Sequence, residues 1–348
     1  MSAVRLNCIA TLILLSPVAL AAQNSAVISG TVVGATGHQP LPYSTVSLEG
    51  VTQKRLTSSE GRFSFRVDSA GKYHLRIRQL GFAPLDTVIT FDGTSLALTL
   101  VLRPVAFKLA EVRTVGRTPC DRRLDHDAFA SGILEEVKKN AEKELVLRNQ
   151  YPFRYSLAVA RGGRRDTVYL SSATNDRYLP GRLTRPSGRG GPTDMEMRVP
   201  QLTDLADSVF LREHCFSYGG IAKLAKQSVF RLNFTPARSV RTPDVEGSIS
   251  IDTADYTVKE AVFRMTNPER LNPPILGLEV RTTYREIVPG LTLFDRIRSE
   301  QPLPKKGPYD PSRLAIEEQQ LIRLEFVRDT PTGISEFAMP LVNPGKVR

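Results

Sequence analysis

The segment that decides the fold covers residues 28–112 and consists of short alternating strands. It contains the sequences I-S-G-T-V-V (28–33), P-L-P-Y-S-T-V-S-L (40–48), L-T-S-S-E-G-R-F-S-F (56–65), G-K-Y-H-L-R-I-R-Q-L-G-F (71–82) and K-L-A-E-V (108–112). Apolar and polar residues alternate strictly in 62–67 and again in 73–78, which predicts strands with one buried face. Glycine and proline turn signals separate these strands, and this spacing predicts an all-β sandwich.

The order of these sequences resembles the carboxypeptidase regulatory-like domain, a prealbumin-like β-sandwich at the start of many exported outer-membrane proteins of Gram-negative bacteria. Glu60-Gly61 fits a hairpin turn in which Gly61 takes a positive φ. The chain has Ser58-Ser59 where the family usually carries Asp or Asn, and Phe82 where it usually has Tyr. The resemblance implies a non-catalytic accessory domain at residues 26–112, which we expect to fold independently, and it implies no particular ligand.

The first 22 residues have the pattern of a secretory signal peptide. Arg5 is the only charged residue before an apolar stretch at 8–20, and small residues around Ala21 and Ala22 suit cleavage. The apolar stretch is too short to cross a bilayer as a helix. We therefore expect an exported protein, either periplasmic or associated with the outer membrane.

The chain is basic, with a formal net charge of +11. Its 35 arginines and 12 lysines are spread over the whole length and form no clustered basic motif. Nucleic-acid binding needs basic residues gathered on one face, and secretion also argues against it. We expect no nucleic-acid partner.

Two cysteines remain after removal of the signal peptide, Cys120 and Cys215. In an oxidising compartment such a pair most often forms a disulfide, and this is the interpretation we favour over two free thiols. Metal binding is the weakest alternative, because His214 is the only neighbouring ligand and zinc needs three or four.

A charged linker at 113–127 precedes the clearest helix of the sequence. Apolar residues recur every four positions from Phe129 through Ile133, Val137 and Ala141 to Leu145, which predicts an amphipathic helix. Asp125 or Asp127 can cap its start, and Tyr151-Pro152 ends it. We expect Glu135 and Lys139 to form an i,i+4 pair on its outer face.

The remaining sequence returns to strands and predicts an α+β domain at 128–348, with a curved antiparallel sheet facing this helix. The residues expected to line the sheet alternate along two strands. They are Phe230, Leu232 and Phe234 in one strand and Ile322, Leu324 and Phe326 in the other.

One motif in this domain carries a second resemblance. The sequence F-x-P (234–236) followed by G-S-I-S-I-D-x-x-D-Y-x-V-K-E-A (247–261) is similar to the sheets of LolA-like lipoprotein carriers. It is also similar to the middle domain after regulatory-like domains in some Bacteroidetes outer-membrane proteins. In those folds a curved sheet wraps around a helix and can hold an acyl chain. The resemblance implies either an apolar ligand or a packed scaffold.

The sequence offers no catalytic, metal or cofactor residues. None of the four histidines, His38, His74, His126 and His214, begins an H-x-x-E or H-E-x-x-H motif. There is no G-x-S-x-G nucleophile motif. The acidic group at Asp121, Asp125 and Asp127 does not have EF-hand spacing. We therefore expect a protein that is not an enzyme and needs no cofactor.

Three functional hypotheses follow. The leading one is a non-enzymatic protein of the cell envelope with an accessory, binding or scaffold role, whose second domain holds an apolar ligand or acts as scaffold. Its partner would be an envelope protein, a glycan or a lipid, and peripheral association with the outer membrane fits this role. The alternatives are a surface carbohydrate-binding or adhesive module, disfavoured by the absence of Trp, and an unrecognised hydrolase.

Overall fold

The computed structural model describes residues 26–105, 128–172, 184–186, 195–197, 200–271, 274–288, 290–303, 314–329 and 331. The predicted signal peptide (1–22), the predicted linker (113–127) and Cys120 lie outside these residues. Within the described parts of the chain, no helix is long and apolar enough to span a membrane.

The N-terminal part is built from seven strands in two sheets, which together we call the sandwich. The strands are β1 Ala26–Gly34, β2 Thr45–Leu48, β3 Arg55–Leu56, β4 Arg62–Val67, β5 Gly71–Arg78, β6 Leu85–Phe91 and β7 Leu96–Leu102. Sheet A has the order β4-β1-β7, with β1 antiparallel to β4 and parallel to β7. Sheet B has the order β3-β2-β5-β6.

The core of the sandwich follows the alternation of the sequence. On β4, Phe63, Phe65 and Val67 are buried while the residues between them are exposed. Gly61 takes a φ of +72°, and a Cβ there would lie 2.6 Å from the Val32 carbonyl oxygen. Glycine therefore fits this turn because of both its backbone freedom and the close approach of β1. The expected all-β sandwich is confirmed.

The C-terminal part combines one long helix with a large antiparallel sheet. Its helices are α1 Ala128–Gln150 and α2 Ser208–Glu213, with 3₁₀ turns at Leu202–Ala206 and Pro268–Arg270. Its strands are β8 Phe153–Arg161, β9 Arg164–Ser171, β10 Thr184–Pro186, β11 Met195–Met197, β12 His214–Leu224, β13 Gln227–Pro236, β14 Asp244–Asp252, β15 Val258–Thr266, β16 Glu279–Val288, β17 Leu291–Pro302 and β18 Leu314–Phe326.

Nine of these strands form the large sheet, in the order β12-β13-β14-β15-β16-β17-β18-β8-β9, while β10 pairs only with β11. Both halves of α1 pack against this sheet, and we call the side of the sheet that faces α1 its inner face. The first half of α1 lies with residues of β13–β16, and Val146 and Leu147 lie with Leu293, Leu324 and Phe153. The predicted mainly β fold with one long helix is confirmed.

Two details of the predicted pattern are wrong. Leu145 is 39% exposed, and Val146 and Leu147 are buried instead. A strict four-residue spacing advances about 40° per step around an α-helix, so the stripe leaves the buried side after several steps. On β18 a register irregularity between Leu321 and Arg323 makes Leu321 the buried residue and leaves Ile322 half-buried.

Candidate functional site: helix α1 between the sandwich and the large sheet

One side of helix α1 packs against the inner face of the large sheet. Ile133, Val137 and Ala141 are 0% exposed. They belong to one cluster with residues of four neighbouring strands, namely Phe230, Leu232, Phe234, Ile249, Ile251, Ala261, Phe263 and Tyr284. The inner face below the first half of α1 is therefore a packed core, as expected for Phe230, Leu232 and Phe234.

Aromatic rings occupy the end of this core near the start of α1. The ring centroid of Phe129 lies 4.5 Å from that of Tyr218 and 5.5 Å from that of Phe230. Phe210 of α2 stacks on His214 at 3.9 Å and meets Phe234 edge-on at 5.7 Å. Aromatic pairs at these separations add to the stability gained from their buried area. This end of the interior is occupied by side chains.

His214 belongs to this packing. Its Nδ1 lies 3.0 Å from the Phe210 carbonyl oxygen and its Nε2 lies 3.0 Å from the Val245 carbonyl oxygen. Burial lowers the pKa of the imidazole, while Asp244 and the two carbonyl groups act in the opposite direction. Both ring nitrogens are engaged within the core, so His214 acts as a core residue that ties α2 to β14.

A second side of α1 packs against the sandwich. Tyr43 and Leu56 of the sandwich, 2% and 3% exposed, form a cluster with Val146 and Leu147 of the helix. The same cluster includes the β16–β17 residues Ile287, Val288, Leu291 and Leu293. The sandwich, the helix and the large sheet thus share one apolar contact region.

Polar contacts extend this junction along the helix. Arg78 of the sandwich pairs with Glu135 at 2.8 Å and with Glu142 at 3.1 Å, and Lys54 also pairs with Glu142. The Leu56 amide donates a hydrogen bond to Gln150 Oε1 at 2.7 Å. Because these contacts span from Glu135 to Gln150, they fix the helix along most of its length.

The centre of the junction contains a buried ion pair. Glu136 and Lys139 are 2.7 Å apart, and their side chains are 2% and 3% exposed. Each also bonds to the sandwich backbone: Lys139 Nζ donates to the Phe82 carbonyl oxygen at 2.7 Å, and the Gly81 amide donates to Glu136 Oε2 at 3.0 Å. The expected Glu135–Lys139 pair on an outer face is therefore wrong, because this side of the helix is covered by the sandwich.

Lys143, one turn further along, is also buried, with 2% exposure. Its Nζ donates to the Gly290 carbonyl oxygen at 3.0 Å, in the turn between β16 and β17. Burial lowers the pKa of Lys143 to about 7, with Lys139 acting in the same direction and Glu136 and Glu286 opposing it. A lysine ammonium without a close carboxylate partner is costly to bury.

Asn140 connects the junction to the hairpin between β14 and β15. Its Nδ2 donates to the Tyr256 carbonyl oxygen at 2.9 Å, and its Oδ1 accepts from the Val258 amide at 3.2 Å. On the sandwich side, a Cβ at Gly81 would lie 3.1 Å from the Tyr256 ring. The hairpin therefore contacts both the helix and the sandwich.

The sheet-facing side of the second half of α1 carries polar groups as well. Arg148 donates to Glu144 Oε1 at 3.0 Å. Burial raises the pKa of Tyr155, and it raises the pKa of Tyr284 well above the ordinary value. Both phenols stay neutral at physiological pH, so neither can act as a general base.

The described residues bring together no metal site, since no group of three His, Cys, Asp or Glu side chains is placed to hold an ion.

A surface depression of about 490 Å³ lies beside the β13–β14 connection and is lined by residues that include Arg238, Arg241, Glu246 and Thr266. It is open to solvent.

Of the two cysteines in the predicted disulfide, Cys215 lies within the described residues. Cys215 is half-buried on β12, opposite Thr235 of β13. Cys120 lies outside the described residues, and the pairing stays a prediction. Of the histidines, His74 lies 2.8 Å from Asp86 on the surface, and His126 lies outside the described residues.

We expect a peptide that links Cys120 to Cys215 in a non-reduced digest of the protein purified from the periplasm. An exported chain with two mature cysteines normally oxidises them. Mass spectrometry after alkylation without reductant tests this, and reduction before alkylation is the control that should separate the two peptides. Recovery of both cysteines as alkylated thiols without reduction would disprove the pairing.

Comparison with known proteins gives one family match. Residues 28–113 match the family described as CarboxypepD_reg-like domain, which confirms the resemblance of the sandwich. The search of curated proteins found no match.

Among solved structures, the chain is similar to a LolA superfamily protein from Nitrosomonas europaea, with 13% identity, 58% of this chain and 94% of that chain covered, and a TM-score of 0.31. A DUF1329 family protein from Desulfovibrio piger gives 11% identity, coverage of 59% and 95%, and a TM-score of 0.31. The chain is also similar to chains in two mutant cohesin–X-dockerin complexes from Acetivibrio cellulolyticus. The first match has 18% identity, covers 23% of this chain and 58% of that chain, and has a TM-score of 0.21. The second has 22% identity, covers 22% of this chain and 51% of that chain, and has a TM-score of 0.17.

The sequence-based analysis missed the junction between the sandwich and α1. A signal was present in K-K-N-A-E-K-E (138–144), where charged residues stand at positions that cover more than one side of the helix. Of these residues, only Lys139 was expected on the outer face, in a pair with Glu135, and charged residues are almost never fully buried without partners. Here Glu136, Lys139, Lys143 and Glu144 are all buried, and most of them have partners on other elements or along the helix.

Proposed function

We propose that this protein is a non-enzymatic component of the cell envelope, in which the large sheet and α1 act as a scaffold that holds the CarboxypepD_reg-like sandwich in a fixed orientation. One observation carries the proposal: α1 is packed on both sides, with Ile133, Val137 and Ala141 in the large sheet and Glu136, Lys139 and Val146 against the sandwich. A helix used in this way joins two domains into one body.

A scaffold role is supported by the filled inner face. A carrier of apolar ligands needs a cavity of several hundred Å³ lined by apolar side chains. Below the first half of α1 the corresponding volume contains the side chains of Phe230, Leu232, Phe234 and Phe263, each 5% exposed or less.

The surface offered by such a scaffold would be the outer face of sheet A. Sheet B turns its outer face, with Arg78, towards α1. On sheet A, register places Ser29 between Ser64 and Ala97, and Thr31 between Arg62 and Thr99. This face carries small and polar side chains together with arginines and the 41% exposed Val101, which suits a glycan or a protein surface. The envelope location rests on the signal-peptide pattern at 1–22.

The scaffold proposal predicts that the purified protein does not bind apolar probes. We expect no saturable fluorescence change when a fluorescent fatty acid is titrated to about ten micromolar, a range in which carriers with sub-micromolar to micromolar affinity would respond. Serum albumin in the same assay is the positive control.

A saturable signal that unlabelled fatty acid displaces would overturn the scaffold proposal and favour the carrier. In that case a substitution of Leu321, which packs with Leu157 on the inner face beyond the helix, would show where the probe binds. Leu321→Gln should then reduce probe binding, and Val88→Gln, at a position 53% exposed on the sandwich, should not.

A further inference from the structure

Glu136, Lys139 and Lys143 form the buried charged group at the centre of the junction, while the buried Glu144 is bonded to Arg148. Lys139 and Lys143 are 3% and 2% exposed, and Glu136 is the carboxylate buried beside them, with 1% exposure. Glu136 is already bonded to Lys139 and to the Gly81 amide. Lys143 has the Gly290 carbonyl oxygen as its hydrogen-bond acceptor. With both lysines protonated, this group carries one uncompensated positive charge.

Lys143 lies on the side of α1 that packs against the sandwich. Along the same side of α1, Lys139 contacts Phe82 of the sandwich one turn before it, and Val146 and Gln150 contact Leu56 one and two turns after it. Residues at this spacing lie on one side of a helix. If the sandwich moved away, Lys143 would gain access to water.

We propose that Lys143 makes the docking of the sandwich onto α1 sensitive to pH, so that protonation of its amino group loosens the junction and loss of the proton tightens it. The other charged groups near the junction include Arg55, whose guanidinium lies over the Phe65 ring, and Arg148, which is bonded to Glu144. Arg78 and Lys54 of the sandwich are held by Glu135 and Glu142, and Glu286 on β16 bonds to the Gly290 amide. The inference concerns the observed junction and does not depend on the scaffold role.

The direction of the effect follows from the buried state. In the docked protein the pKa of Lys143 is lowered to about 7, and in the released state an exposed lysine has its ordinary value of 10.5. Between pH 7 and 10.5 the docked state therefore binds fewer protons, so docking strengthens as the pH rises and weakens as the pH falls. Below pH 7 both states are protonated and the effect levels off. Proton linkage then gives a docking constant that falls up to about 50-fold between pH 9 and pH 7.

Hydrogen exchange of the amides that cross the junction measures docking in the full chain. The Leu56 and Gly81 amides donate to Gln150 and Glu136 across it. We expect the protection factors of these two amides, corrected for the intrinsic exchange rate at each pH, to fall up to about 50-fold from pH 9 to pH 7. Amides of β14 within the large sheet serve as the internal reference and should not change.

Substitutions separate Lys143 from other titrating groups. Lys143→Met should keep the junction amides equally protected at both pH values, and Lys138→Met, on the same helix at a partly exposed position paired with Glu135, should retain the full pH dependence. Equal pH dependence in Lys143→Met and the unaltered protein would overturn the proposal, as would unchanged protection of the unaltered protein.

A direct titration covers the case in which Lys143→Met does not fold. The ¹³Cε resonance of Lys143 in the unaltered protein should titrate with a midpoint near 7, and a midpoint near the ordinary lysine value would overturn the proposal.

Discussion

Replacing Glu136 by glutamine is expected to lower the free energy of unfolding by about 3–5 kcal/mol, the loss typical of removing one partner from a buried ion pair. The substitution preserves the size of the side chain and leaves an oxygen that can accept from the Gly81 amide. It removes the buried carboxylate that pairs with Lys139, and so leaves the buried Lys139 amino group without its ion-pair partner. Urea denaturation followed by circular dichroism measures the change.

Glu135→Gln is the matched control. It makes the same chemical change one position earlier on the same helix, where the side chain is 49% exposed and pairs with Arg78 and Lys138. Exposed pairs contribute about 0–1 kcal/mol each, so the control should unfold at nearly the same urea concentration as the unaltered protein. Equal losses in the two variants would mean that the Glu136–Lys139 pair does not stabilise the junction.

The sandwich could be predicted from the sequence because its strands have one buried and one solvated face. The alternation Phe63, Phe65, Val67 against Arg62, Ser64, Arg66 indicates which side is buried, and the exposure of these residues follows it. The same rule predicted Phe230, Leu232 and Phe234 as the lining of the large sheet. Local pattern is sufficient where a single apolar core decides the orientation of each residue.

The junction could not be predicted from the same kind of pattern. A helix that is apolar on one side and charged on the other normally has its charged side in water. In α1 the charged side is divided, because Glu136, Lys139 and Lys143 are buried while Glu135 is exposed. Which charges are buried depends on the position of the sandwich, and that position depends on distant residues such as Tyr43, Leu56 and Gly81.

The register irregularity on β18 and the pairing of Cys215 mark the same limit of local sequence pattern. The register irregularity at Leu321 moves the buried position on β18 by one residue, and no turn residue in the sequence marks it. For Cys215 the sequence predicts a partner at Cys120, which lies outside the described residues. Both depend on contacts between segments far apart in the chain, which composition and spacing do not encode.

Replacing Gly247 by alanine is expected to destabilise the large sheet by about 3 kcal/mol, at the upper end of the usual cost of overpacking a core. Gly247 lies on β14 opposite Phe234 of β13 and Phe263 of β15, and the rings of these two phenylalanines meet with centroids 5.6 Å apart. A Cβ at Gly247 would lie 1.8 Å from the Val262 carbonyl oxygen and 3.1 Å from the Phe234 ring. The first contact is with backbone, so β14 and β15 would have to separate and lose ladder hydrogen bonds.

Gly71→Ala tests whether this loss comes from the close approach or from the glycine-to-alanine change itself. Gly71 is also a strand residue, on β5, and a Cβ there would have no atom within 4 Å. This variant should unfold within about 0.5 kcal/mol of the unaltered protein, as surface substitutions usually do. Thermal and urea unfolding of both variants measure the difference. A Gly247→Ala protein as stable as Gly71→Ala would show that β14 and β15 can separate at this point without cost, and that the packing of Phe234 over Gly247 does not hold the inner face closed.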